Sequence, residues 1–191
     1  MTEFKNEKTK LQKKIEALKS ENKIFIVAID GMCLSGKTTF ANEVAKCFGA
    51  NVFHIDDFYL PVSERAKDWK ATAGSNIDTE RFLSEVLTPA SGGKTVSYRA
   101  FDCHKNKTEF KGNFEPTPVV IVEGTYSCLP RFQKFYSLKV FMQCTHETQL
   151  ERLKKRNTES ISSFLETWIP LEENYFNTCN VCKNSDIVIS T

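Results

Sequence analysis

At 191 residues and 21.8 kDa, the chain is long enough for one sizeable core with room for an appended arm. Its 40% hydrophobic and 26% charged residues exclude a largely disordered protein, and its longest unbroken apolar run, residues 24–29, is far short of the roughly 20 that cross a bilayer. Net charge is +2, with seven Lys against four Glu in residues 1–23 holding the excess, so no extended basic surface remains to bind nucleic acid. That amino-terminal stretch carries acids and no continuous apolar core, unlike a secretory signal or a transit peptide. Seven cysteines, an odd number, predict reduced thiols and a soluble cytoplasmic protein.

Residues 4–21 read as a helix. Phe4, Leu11, Ile15 and Leu18 form a narrow apolar stripe among Lys and Glu. It predicts an arm, residues 1–22, packed on the surface of a domain spanning 23–191; a contact between copies, giving a homo-oligomer, is the alternative. From residue 23 the pattern changes to short β-branched runs at 24–29, 52–55, 119–122, 138–142 and 187–189. Between them lie helical patterns at 38–48, 79–87, 147–156 and 162–176. Strand alternating with helix predicts a three-layer α/β/α sandwich with a doubly wound, mainly parallel five-stranded sheet. Residues 95–101 and 108–114 predict a small antiparallel flap.

Gly31, Met32, Cys33, Leu34, Ser35, Gly36, Lys37 and Thr38, with Thr39 following, fit the phosphate-loop pattern G-x-x-x-x-G-K-[ST]. Glycines let the backbone turn several N–H groups inward and approach a phosphate closely. The helix opening near Lys37 adds its positive end. Lys37 is expected to reach the β- and γ-phosphates of a nucleotide, and the Thr38 hydroxyl to bind Mg²⁺. Cys33, if exposed there, would have its thiolate stabilised by the helix end.

In a doubly wound sheet, ligands sit at the carboxyl ends of the strands. Asp56 and Asp57 follow the second strand and Glu123 ends the third. Phosphoryl transfer needs a carboxylate to accept a proton from the attacking hydroxyl and an acid on the metal side. Glu123 suits the metal, and Asp56 or Asp57 the acceptor.

The loop at 31–38, Asp56-Asp57-Phe58-Tyr59 and Val122-Glu123-Gly124 together resemble the uridine kinase and phosphoribulokinase family of P-loop kinases over roughly residues 24–190. The resemblance implies that Asp56 is the catalytic base and helps organise Mg²⁺, that Tyr59 contacts the acceptor, and that Asp78 reaches an acceptor sugar. Tyr98, Arg99 and Asp102 stand where the family grips its nucleoside, although the spacing differs and His104 takes no assigned role. Arg152 and Arg156, four residues apart on a predicted helix, match the family's lid arginines, which stabilise charge on the transferring group. Residues 157–163 would be the mobile part of that lid. Cys179-x-x-Cys182 and Cys144-x-His146 form only a weak zinc pattern and read better as ordinary thiols.

These features predict an ATP- and Mg²⁺-dependent kinase for a small-molecule hydroxyl, first a nucleoside. Pantothenate or a sugar is the alternative acceptor, and a nucleotide-dependent switch the alternative class. A guanine-reading Asn-Lys-x-Asp does not occur; residues 106–109 only approach it.

Overall fold

The computed structural model of the protein describes residues 2–18, 24–156 and 161–191. Five parallel strands form the main sheet in the order β2-β5-β1-β6-β7: β1 (Phe25–Gly31), β2 (Asn51–His54), β5 (Val119–Glu123), β6 (Leu138–Gln143) and β7 (Ile187–Ser190). The predicted flap is an antiparallel hairpin, β3 (Val96–Asp102) and β4 (Lys107–Phe114), with a register shift at Tyr98/Arg99.

β1 is central and buried along its whole length, which is why its run is continuously apolar rather than alternating. Its side chains still divide by parity. Phe25, Val27 and Ile29 join a core with Phe40, Ala41 and Val44 of α2 (Lys37–Phe48), whereas Ile26 and Ala28 face a core rich in aromatics, including Phe53, Phe58, Phe82 and Tyr98.

The amino-terminal helix α1 runs Thr2–Leu18. Leu11 and Ile15 are fully buried in the α2-side core, and Lys8 Nζ meets Glu43 of α2 at 2.8 Å. Burying two such side chains is worth about 1.5–3 kcal/mol each, enough to hold a short polar helix against the domain. The expected boundary at 22/23 lies outside the described residues.

Two helices run longer than their periodicity predicts. α3 spans 79–91 and passes through Pro89; the last helix, α5, spans 161–178 and passes through Pro170. In each, a π turn (Leu83–Leu87 and Phe164–Trp168) comes just before the proline, re-spacing the backbone bonds where the ring has no N–H to give. Between β6 and α5 lies α4 (His146–Lys155), capped by the Thr145 hydroxyl accepting from the Thr148 N–H.

Candidate active site

The phosphate loop joins β1 to α2. Gly31 adopts φ 139° beside β6, and a Cβ there would lie 1.9 Å from the Met142 carbonyl oxygen. Gly36, at φ 92°, caps α2, and Leu34 takes a left-handed φ of 63°. Ser35 is fully buried, with its hydroxyl unpaired. Lys37, almost wholly buried, donates through Nζ to the Gly31 and Met32 carbonyls at 2.8 Å each.

Register places Glu123 between Ile29 of β1 and His54 of β2. Its Oε1 accepts from the Thr38 hydroxyl at 3.1 Å and meets His54 Nδ1 at 2.5 Å. That contact raises the His54 pKa against the lowering effect of its burial. Asp56 follows in a tight 3₁₀ turn, Ile55–Phe58. The turn packs directly on Gly124, where a Cβ would lie 2.6 Å from Ile55 Cγ2 and 3.4 Å from Asp56 Oδ1. Asp56 still reaches water but stands in a crowded cleft. That partial desolvation, with Glu123 beside it, pushes its pKa up to about 6, while Lys37 and His54 pull against the rise.

Beyond Asp56, Tyr59 packs edge-on against Trp168 at 5.7 Å, and Trp168 lies 6.3 Å from Trp69. Arg65 covers Trp69 at 4.7 Å from the ring centre. The 58–60 stretch is pinned beside 76–78, with Leu60 N–H donating to the Asn76 carbonyl and Asp78 N–H to that of Phe58, both at 2.8 Å. Asn76 is buried with Nδ2 unpaired. Tyr126, buried and held at φ 81°, adds a strained aromatic to the same region.

No protein-family model matches the chain. Uridine kinase-like protein 4 of Arabidopsis thaliana is 25% identical over 142 residues, 70% of this chain. The chain spans about a third of that relative's length, the match covering 30% of it. A possible uridine kinase from Bacillus stearothermophilus superposes with a TM-score of 0.77 at 19% identity, covering 98% of this chain and 99% of that one. The two share one fold, built on a five-stranded parallel sheet. A candidate fructose transport system kinase from Silicibacter sp. TM1040 gives 0.73 at 17% identity, over 95% and 98% of the two chains.

Within this fold, Lys37, Thr38, Glu123 and Asp56 gather at the carboxyl ends of β1, β2 and β5. Other expected residues have different partners. Asp57 accepts from the Tyr98 hydroxyl at 2.7 Å and lies 3.8 Å from Lys111 Nζ; it borders a hollow of about 340 Å³ under the flap, with Phe101, Asp102 and Phe110. Asp102 itself accepts from the N–H groups of His104 and Lys105 in the hairpin turn. Asp78 caps α3 by accepting from Arg81 N–H at 3.0 Å. Arg99 is largely exposed and pairs with Glu85 at 2.5 Å. Arg152 donates to the Leu34 carbonyl at 2.9 Å and to the Thr191 hydroxyl at 3.0 Å, whereas Arg156 is exposed just past the end of α4. Residues 157–160 of the expected mobile lid lie outside the described residues.

Exposure, the condition for a stabilised Cys33 thiolate, is not met. The thiol is partly buried, and burial and the neighbouring Glu172 push its pKa up to about 12. Among the described residues no three His, Cys, Asp or Glu side chains are grouped to hold a metal by themselves.

Two acids have no part in the sequence reading. Asp30, fully buried, accepts from Gly31 N–H at 2.6 Å, Cys128 N–H at 2.7 Å and the Tyr175 hydroxyl at 2.6 Å; burial still leaves its pKa at about 6. Glu172 of α5 accepts from Cys33 N–H at 2.8 Å, and burial pushes it up to about 7 although Lys37 opposes the shift. For Asp30 there was a signal, since a carboxylate inside an apolar strand needs partners. Glu172 gave none.

Proposed function

We propose that the protein is an ATP- and Mg²⁺-dependent kinase that phosphorylates a hydroxyl of a small molecule, first a nucleoside. The observation that supports this most is the meeting of Lys37, Thr38, Glu123 and Asp56 at one end of the sheet.

The residues suit both groups. The backbone at Gly36, with open space where a Cβ would stand, the start of α2 and the Lys37 ammonium suit a polyphosphate. Thr38, Glu123 and Asp56 offer hard oxygen donors, and Mg²⁺ characteristically takes one or two such protein oxygens while keeping phosphate and water for the rest. ATP supplies the phosphoryl group, and Mg²⁺ neutralises charge on its oxygens. Asp56 accepts the proton of the attacking hydroxyl, a task that fits a carboxylate poised near pH 6. His54 and Thr38 hold Glu123 in place. Lys37 faces the charge that develops on the transferring group.

The Tyr59–Trp168–Trp69 aromatic cluster supports a nucleobase as what packs beyond Asp56. A sugar alone is the second reading, favoured by the resemblance in fold to the candidate fructose transport system kinase.

ADP release with Mg·ATP, measured across nucleosides, sugars and pantothenate, tests the proposal. A nucleoside is expected to accelerate release most. Asp56→Asn is expected to lower kcat by about 10²–10⁴ with little change in ATP affinity. Equal loss of both would remove Asp56 as the base, and release indifferent to every acceptor would remove the kinase assignment.

A further inference from the structure

The two helices that flank residues 156–160, α4 and α5, each send side chains one turn apart into the phosphate loop. From α4, Gln149 Nε2 donates to the Cys33 carbonyl at 3.2 Å and to Glu172 Oε1 at 3.1 Å, and Arg152 holds the Leu34 carbonyl. From α5, Glu172 Oε2 accepts the Cys33 N–H, and Tyr175 donates to Asp30, which in turn holds the Gly31 N–H. Gln149, Glu172 and Tyr175 are all essentially buried.

These contacts surround a strained residue. Leu34 sits at φ 63°, a conformation that a branched side chain avoids unless its surroundings impose it. The Cys33 amide just before it is bound by Glu172, and Leu34's own carbonyl is bound by Arg152. With both sides of the turn held, the following amides at Ser35, Gly36 and Lys37 stay in one arrangement before any ligand arrives. For packing alone an apolar side chain would serve at position 172, since burying a carboxylate is unfavourable without a specific partner.

We infer that Glu172 is a positioning residue that, with Gln149, holds the phosphate loop in its anion-accepting shape, so that nucleotide affinity depends on an acid 139 residues away in sequence. The inference rests on the kinase reading above. A preformed loop spares the nucleotide the cost of ordering it, and that appears as affinity.

The opposite role is a real competitor, because a carboxylate hydrogen-bonded to a loop amide could also stand where an anion would bind. The two roles predict opposite signs. Binding of Mg·ATP and Mg·ADP is measured by calorimetry on the full chain and on Glu172→Ala, Glu172→Gln and Gln149→Leu, with kcat and both KM values measured alongside. Glu172→Ala is expected to weaken both nucleotides about tenfold or more and to raise the KM for ATP while leaving that for the acceptor in place. Glu172→Gln keeps an acceptor for the Cys33 N–H and is expected to restore affinity to within about threefold of wild type. Gln149→Leu removes the bridge from the other helix and is expected to weaken binding in the same direction by a smaller factor; it carries the test if Glu172→Ala does not fold.

Nucleotide bound equally or more tightly by Glu172→Ala, or by Gln149→Leu in its place, overturns the inference, as does a Glu172→Gln variant no better than the alanine. Wild-type protein that binds no Mg·ATP refutes the kinase reading itself, and this inference with it.

Discussion

Gly124 is where the fold and the proposed chemistry are most tightly joined, and replacing it with alanine has a calculable effect. The residue has φ 126°, a region that an L side chain enters only with strain, costing about 1–3 kcal/mol. The added methyl would also sit 2.6 Å from Ile55 Cγ2, about 1 Å inside normal carbon contact. Ile55 is fully buried and β-branched, so it cannot swing aside, and such overpacking costs a further ~1–3 kcal/mol. The sum, about 2–6 kcal/mol, is a large part of the 5–15 typical of a domain. If the clash is relieved by moving the Ile55–Phe58 turn, Asp56 moves with it, away from Glu123. A displacement near 1 Å at a reacting group costs roughly 10²-fold in rate.

Urea unfolding followed by far-ultraviolet circular dichroism gives the first quantity, and phosphoryl transfer at saturating substrates the second. The double mutant Gly124→Ala/Ile55→Ala separates the two costs, since it removes the clash but not the backbone strain. A coupling of about 1–3 kcal/mol between the two sites is expected. A Gly124→Ala protein within about 0.5 kcal/mol of wild type and with full turnover would refute the reasoning.

Stability is expected to fall as pH rises from about 4 through 7. Asp30 and Asp56 at about 6 and Glu172 at about 7 hold protons more tightly folded than unfolded. Over that range the folded state therefore binds more protons, and raising the pH favours unfolding; His54, also raised, acts in the same direction. The thermal midpoint should be higher at pH 5.5 than at pH 8, and a midpoint that climbs steadily to pH 8 would contradict these assignments. Alkylation by iodoacetamide, followed by mass spectrometry, should reach the exposed Cys47, Cys103 and Cys182 well before Cys33, whose thiol at about 12 is almost wholly protonated at neutral pH. Labelling of Cys33 at the rate of those three would show the loop to be more open.

What the sequence disclosed was carried by local rules. The fixed positions of the phosphate loop constrain adjacent backbone, so Gly31, Gly36 and Lys37 could be read from eight consecutive residues. The spacing of Leu11 and Ile15 is likewise a property of one helix, and both are buried as that spacing predicts. The short β-branched runs and their alternation with helical patterns were enough for the parallel sheet. Contacts between distant segments follow no such rule. Glu172 lies in a helix where an acid reads as a solvated face, and only the packing of α5 on the loop gives it the Cys33 amide. Arg152 reads as one of two lid arginines by its spacing from Arg156, but the direction of α4 brings it to the Leu34 carbonyl and Thr191. Asp78 and Asp102 fit an acceptor pocket by resemblance, whereas each is engaged in a local turn or cap that its own neighbours explain.

The charges around the loop connect these observations. Asp30, Asp56, Glu123 and Glu172 crowd the space near Lys37, and three of the four have pKa values raised by their surroundings. Such a site resists further negative charge, and Lys37 together with a protonated His54 does not balance four acids. A polyphosphate is therefore a poor ligand for this cleft by simple charge attraction; backbone amides must supply the attraction at short range, and their direction matters more than net charge. That makes the shape of the turn at Leu34 the controlling variable. It also gives the acids a coherent division of labour: Asp30 and Glu172 accept from the amides of Gly31 and Cys33 at the loop's rim, while Asp56 and Glu123 face the cleft where a divalent cation would relieve their mutual repulsion.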